Sequence, residues 1–309
     1  MSPTSSLDLG SVTLDRVLEY AGPVGMSPDT FFPDSAPPMW RDERNPVVPH
    51  FLDDDSGIVR AAIQTWVLRS GGRTILIDTG VGNDKERPHV PLWSGRKSGF
   101  LASLAAVGVR PEDVDVVVNT HLHNDHVGWN TVWEDGEWVP TFPRARYLMP
   151  ARDFTYWDPA ERRDAAGGPH HLNVFEDSVA PVHRAGLVDL WDGEHVIDEH
   201  LRLVAAPGHT PGSSAVLLES AGARAMFVGD LVHTPVQLAH PHVNSCFCED
   251  PEQARATRRS LLARAADERS LLFPAHFAGG GGVRVRPSGA GFALTEWAPF
   301  TAPEGTVEA

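Results

Sequence analysis

At 309 residues, 41% hydrophobic and 22% charged, the chain is long enough for one large domain or two ordinary ones, and its composition excludes whole-chain disorder, collagen and coiled coil. Its 26 basic against 41 acidic residues, a net charge of −15, argue against a nucleic-acid partner, which requires a basic face. The N-terminal segment has no basic stretch leading into a long apolar run, and no apolar run of about 18 residues occurs anywhere, so a soluble, cytoplasmic protein without a membrane partner is expected.

Residues 1 to 60 are rich in Pro, Asp and Ser and read as an N-terminal extension or arm, in which VTLDRVLEY (12–20) is a candidate strand. AIQTWVLRS (62–70) and RTILIDTG (73–80), joined by Gly71-Gly72, predict a hairpin. KSGFLASLAAVGV (97–109) predicts a helix with Phe100, Leu101, Leu104 and Val107 on one face and Gly108 as its stop. VDVVVNT (114–120) and ARYLMP (145–150) are short apolar strands of the kind buried on both faces.

Residues 151 to 200 mix helix with loop. Strands return in LRLVAAPGHT, SAVLLES and ARAMFVGD. A helix follows, with Asp250 as N-cap, Pro251 in its first turn, and Ala254, Leu261, Leu262 and Ala265 on one face. SLLFPAH (270–276) is the last expected strand, and Gly279–Gly282 reads as a mobile loop before a polar tail. The chain has two halves of similar grammar, each running apolar strands into polar loops that end in Asp or His. This predicts one mixed α/β sandwich with polar groups gathered at strand ends.

The chemistry concentrates in VVVNTHLHNDHVGWN. His121, His123 and Asp125 are spaced two apart, which an extended or turning segment can direct to one side and a helix would splay by roughly 200°. Four ligand-type side chains directly behind a buried strand are costly unless a cation satisfies them. Of the 15 histidines, His50, His89, His170, His171, His183, His195 and His200 are read as surface or hydrogen-bonded core groups, and so are His240 and His242. The two cysteines, Cys246 and Cys248, are too close for an unstrained disulfide and read as reduced thiols.

The run His121-Leu122-His123-Asn124-Asp125-His126 resembles the HxHxDH signature of the metallo-β-lactamase superfamily. The superfamily's other marks follow in order: Asp78 in LIDTG, His209 in APGHTPGS, Asp230 in FVGDL and His276 in LFPAHF. The resemblance covers residues 60 to 280. It implies a single αββα sandwich over 1–309, two mixed β-sheets flanked by helices, with two divalent metal ions at one edge. By this resemblance His121, His123 and His209 would hold one metal, Asp125, His126 and His276 the other, and Asp230 would bridge them. Asp78 would orient the histidine loop from outside. Nitrogen and oxygen ligands suit zinc, and also manganese, cobalt or iron.

The activity implied is hydrolysis by a hydroxide generated between two metals, Asp125 passing a proton to the leaving group. No G-x-S-x-G elbow offers a rival nucleophile. Asp230 in place of the fourth-motif cysteine, and Trp129 where glyoxalase II enzymes keep a glycine, direct the resemblance to the lactonase and methyl-parathion-hydrolase-like branch, commonly dimers. A lipophilic ester or lactone is then the expected substrate, with Trp129, Trp157, Phe175 and Phe247 as candidate pocket walls. His233, three residues after Asp230, is read as a hydrogen-bonding group near the metals. The alternatives are a thioesterase or phosphoesterase on the same site, a mononuclear iron oxygenase using His121, His123, His209 and Asp230, and a binding protein on a retained scaffold.

Overall fold

The computed structural model describes residues 6–43, 46–47, 49–161 and 171–300. Strands β1 (Ser6–Leu9), β2 (Val12–Pro23), β3 (Arg60–Ser70), β4 (Arg73–Ile77), β5 (Val116–Val118), β8 (Arg146–Pro150) and β9 (Val188–Trp191) form one sheet in that order. Strands β10 (Glu194–Val196), β11 (Leu201–Ala205), β12 (Ser214–Ser220), β13 (Ala223–Phe227), β14 (Leu271–Phe273), β15 (Val283–Ser288) and β16 (Gly291–Trp297) form the second. A ribbon of β6 (Thr131–Glu134) and β7 (Glu137–Pro140) stands apart. Both sheets are mixed: β4, β5, β8 and β9 run parallel, as do β13 and β14, and the other paired strands are antiparallel.

The strand sequences explain the layering. Successive strand residues face opposite sides of a sheet. Ile75, Ile77, Val116 and Val118 of the first sheet meet Val216, Leu218, Ala225, Phe227, Leu271 and Phe273 of the second in one buried core. The intervening Leu76 and Val117 point the other way, onto Phe100 and Leu104 of helix α2 (Phe100–Ala106). Leu217, Met226 and Leu272 likewise face Leu261, Leu262 and Ala265 of the long helix α6 (Pro251–Asp267). The short helices are α1 (Pro28–Phe31), α3 (Ala151–Trp157), α4 (Ala180–Arg184) and α5 (Val236–Ala239). Strands buried on both faces must be apolar throughout, and that is why these runs do not alternate. Asp250 caps α6 as expected, accepting from Gln253 N at 2.9 Å. No helix among the described residues is long and apolar enough to cross a membrane.

Two expectations need correction. The first third of the N-terminal segment is not an arm, because β2 pairs with β3 from Thr13↔Arg69 to Pro23↔Arg60. Leu9, Val12 and Leu14 lie in the core between the sheets. Only the stretch after Pro23 leaves the sheet, and there Phe31, Phe32, Trp40 and Phe51 are buried in the core on the α6 side. Gly279–Gly282 does not lead into a polar tail. It turns the chain into the β15–β16 hairpin, which completes the second sheet. At Gly281 (φ +73°) a Cβ would come within 2.9 Å of both Arg16 and Trp66, so only glycine fits against them.

This architecture assembles the site. β4 ends one residue before Asp78, β5 three residues before His121, β11 four residues before His209, β13 three residues before Asp230 and β14 three residues before His276. The five motif loops therefore leave their sheets close to one another.

Candidate metal centre

Asp78 follows β4 with φ +57°, a conformation that non-glycine residues adopt only where surrounding contacts hold it. Those contacts are visible. Its Oδ1 accepts from Thr120 N at 2.8 Å, and its Oδ2 accepts from Thr120 Oγ1 at 2.9 Å and faces His126 Nδ1 at 2.9 Å. Thr79 N and Asn119 Nδ2 both donate to His126 O, and Gly128 N donates to Gly80 O at 2.7 Å. The two loops touch so closely at this point that a Cβ on Gly128 would lie 1.9 Å from the carbonyl carbon of Val81. The histidine loop is thus folded by its neighbour before any ion is considered.

The seven residues singled out as ligands all meet. One group is His121, His123, His209 and Asp230; a second is Asp125, His126 and His276; in each, one candidate ligand atom per residue lies within 4.8 Å of the others. Asp230 Oδ2 is 3.1 Å from His209 Nε2 and 3.8 Å from His121 Nε2. Its Oδ1 is 3.2 Å from His126 Nε2 and 3.1 Å from His276 Nε2. The carboxylate thus presents one oxygen to each group, although His276 Nε2 reaches both. Asp125 lies 3.7 Å from His126 Nε2 and 3.6 Å from His276 Nε2, and at 19% side-chain exposure it is the most open member. His233 Nε2 sits 3.2 Å from Asp230 Oδ2, making a third group with His276.

The chemistry of the cluster fits divalent cations. Among the described residues His121 Nε2, His126 Nε2 and Asp230 Oδ1 are buried with no hydrogen-bond partner, an arrangement that is costly unless an ion satisfies them. Among the described residues, every ion-pair partner of Asp230 is a histidine. Burial, reinforced by neighbouring imidazoles, holds His121 and His123 well below the ordinary histidine pKa, as uncharged lone-pair donors. Burial also lowers His233, to about 4, against the pull of Asp230. For His126, His209 and His276 burial works the same way, but the carboxylates, Asp230 first, outweigh it and His209 rises to about 10. Burial alone would raise the Asp230 carboxyl, and His276, His126 and His209 more than reverse this.

Several residues at the site carry no sequence signal. Asp153 of α3 is fully buried and accepts from Leu122 N (3.1 Å), Thr210 Oγ1 (2.8 Å) and Gly212 N (2.5 Å), tying the His121–His126 loop to the His209 loop. Burial pushes its carboxyl up to about 6 against these donors. Asp153→Ala should cost about 3 kcal/mol, the scale of leaving buried donors unpaired. A chemical-denaturation midpoint unchanged from wild type would contradict this.

His171, read as a surface or core group, instead stacks on Trp157 at 3.6 Å between ring centroids and lies 4.7 Å from the His123 ring. Its ring contacts with Trp157 and His123 join positions far apart in the chain, which spacing along the chain does not reveal. His50, His183 and His200 contact Trp297, Phe154 and Ser11, away from the cluster, and His170 lies outside the described residues.

The four aromatic pocket candidates divide. Trp157 faces His123 at 5.6 Å, and Phe247 packs edge-on to Phe31, which in turn meets His233 at 5.5 Å. Trp129 is a core residue: it stacks on Phe100 and donates its indole N–H to Glu19 Oε1 at 2.7 Å. Phe175 packs on Phe154 in the core beside α2.

An αββα fold with a buried histidine–aspartate cluster at the strand ends defines a metal-site scaffold. The chain belongs to the metallo-β-lactamase superfamily, whose family model matches residues 59–276. It is 31% identical over 128 residues to the N-acyl homoserine lactonase AttM of Azorhizobium caulinodans, covering 39% of this chain. The chain spans 41% of that relative's length and 34% of that of a ribonuclease from Thermus thermophilus that also matches. Among solved structures it is similar to the hydrolase AbOPH (TM-score 0.76, 24% identity, 95% of this chain and 97% of that one). It is likewise similar to AidC, a dizinc quorum-quenching lactonase (TM-score 0.75, 20% identity, 95% and 97%). At these identities the structural likeness speaks to the fold alone.

Proposed function

We propose that the protein is a hydrolase that uses two divalent metal ions, most simply zinc, to open the ester bond of a lipophilic lactone or ester. The observation that carries this is the split of Asp230, whose two oxygens face two separate sets of ligands. In this reading His121, His123 and His209 hold one ion, Asp125, His126 and His276 the other, and Asp230 both. Two such cations would supply Lewis acidity, bringing water to a reactive state near neutral pH and polarising the scissile carbonyl.

The chain's own groups do the rest. Asp78 fixes His126 by its Nδ1, so that Nε2 faces the cluster. His233, uncharged, donates from Nε2 to Asp230 and holds that carboxylate in orientation. Asp125, the most open of the acids, is placed to carry a proton to the departing alkoxide. Trp157 and His171 on one side and Phe31 and Phe247 on the other offer apolar surface beside the cluster, suited to an acyl chain.

Several relatives are named as lactonases and one as a ribonuclease, which supports a lactone ahead of a phosphoester and gives no support to a thioester. The mononuclear iron alternative leaves the assembled Asp125–His126–His276 group without a task. A substrate panel on the zinc-loaded protein tests the reading. N-acyl lactones should be opened with kcat/KM at least about tenfold above aryl esters, thioesters, phosphotriesters and β-lactams, a modest discrimination for an apolar pocket. Turnover of phosphotriesters or thioesters without lactones would overturn the substrate class.

A further inference from the structure

Four imidazoles of the cluster are braced from behind, and one of them differently from the rest. His121 Nδ1 lies 3.2 Å from Thr120 Oγ1, His126 Nδ1 2.9 Å from Asp78 Oδ2 and His276 Nδ1 2.9 Å from Ala62 O. These partners are oxygens. Behind His209 the partner is sulfur, with Cys248 Sγ 3.8 Å from Nδ1. The opposite nitrogen, Nε2, faces Asp230 Oδ2 at 3.1 Å and His123 Nδ1 at 2.9 Å, so it is the atom turned into the cluster. His209 is buried, and among the described residues its Nδ1 makes no other hydrogen bond.

The backbone builds this contact. Glu249 N donates to His209 O and Asp250 N to Gly208 O, both at 2.9 Å, lacing the segment after Cys248 to the His209 loop. Cys248 N donates to Ser245 O, and Cys246 N donates to Phe31 O, so the cysteine segment is pinned on both sides. Ser245 Oγ sits 3.6 Å from the Cys248 sulfur.

We infer that Cys248 is a positioning residue. Its sulfur takes the Nδ1–H of His209, fixing the tautomer that leaves Nε2 free for a metal, and so sets the affinity of that one metal position. The inference rests on the reading of His209 as a ligand. Sulfur is a weak acceptor, so it holds the ring and raises its basicity less than the Asp78 carboxylate does for His126. The His209 position should therefore be the weaker of the two.

The test is zinc affinity measured against a competing chelator, together with 15N NMR of the histidine rings in the zinc-loaded wild type. The wild type should show His209 protonated at Nδ1 and two zinc equivalents of unequal affinity. Cys248→Ala should weaken one equivalent by about 10- to 100-fold, the usual consequence of removing a group behind a ligand, and leave the other unchanged. Cys248→Ser should recover part of the loss. Cys246→Ala, altering an exposed thiol, should change neither equivalent.

Cys248→Ala binding both equivalents as tightly as wild type would overturn the inference. So would a His209 protonated at Nε2 in the wild type, a result that needs no variant to fold. A wild type that takes up no zinc at all would instead bring down the metal reading on which the inference stands.

Discussion

Asp230→Asn should lose both metal ions on dialysis, and hydrolysis should fall by more than about a hundredfold, the upper range seen when only a group behind a ligand is removed. The amide keeps the volume of the side chain, so the Gly229–Leu231 turn and the neighbouring core need not change. It changes the chemistry at two places at once. Oδ2 faces His209, His121 and His233, and Oδ1 faces His126 and His276. An asparagine offers an acceptor to one set and an N–H donor to the other, and it brings no negative charge to either. Metal content by mass spectrometry, circular dichroism and turnover decide the matter together. Two retained metals with wild-type turnover would contradict the role given to Asp230.

His123→Ala should abolish hydrolysis with the chain still folded. His123 Nδ1 lies 2.9 Å from His209 Nε2, inside the first ligand group, while its ring meets His171 and Trp157, the latter in the core on the α2 side and not in the core between the sheets. Its loss removes a ligand without opening a cavity between the sheets, so the unfolding midpoint of the metal-free protein should move little. The Asp125–His126–His276 group is untouched, and one metal equivalent should remain. A metal-replete His123→Ala protein that turns over lactone at the wild-type rate would refute the assignment.

The fold and the gathering of the motif histidines and aspartates were legible because both depend on local pattern. Strands buried on two faces are uninterrupted apolar runs, and β4, β5, β13 and β14 each end in a motif loop carrying Asp or His. Legibility fell where tertiary packing decides. Of the N-terminal segment, the strand read at 12–20 is present as β2, but β1 and the burial of Phe31, Phe32, Trp40 and Phe51 lie hidden in its Pro, Asp and Ser content. The same applies to β15 and β16, where charged residues cover the outward face of a hairpin with Val283 and Val285 beneath. Trp129 looked like a pocket wall because it follows the ligand run directly, but the turn at Gly128 brings it under Phe100 and Glu19. Asp153, His171 and Cys248 are 30 or more residues from the ligands they touch or brace, and only the folded chain brings them there.

The account rests on two metal positions sharing Asp230. Stepwise addition of zinc to the metal-free chain, with lactone turnover followed at each step, tests this most directly. Turnover should stay low through the first equivalent and rise to its plateau as the second is bound. A plateau reached at one equivalent per chain would contradict it.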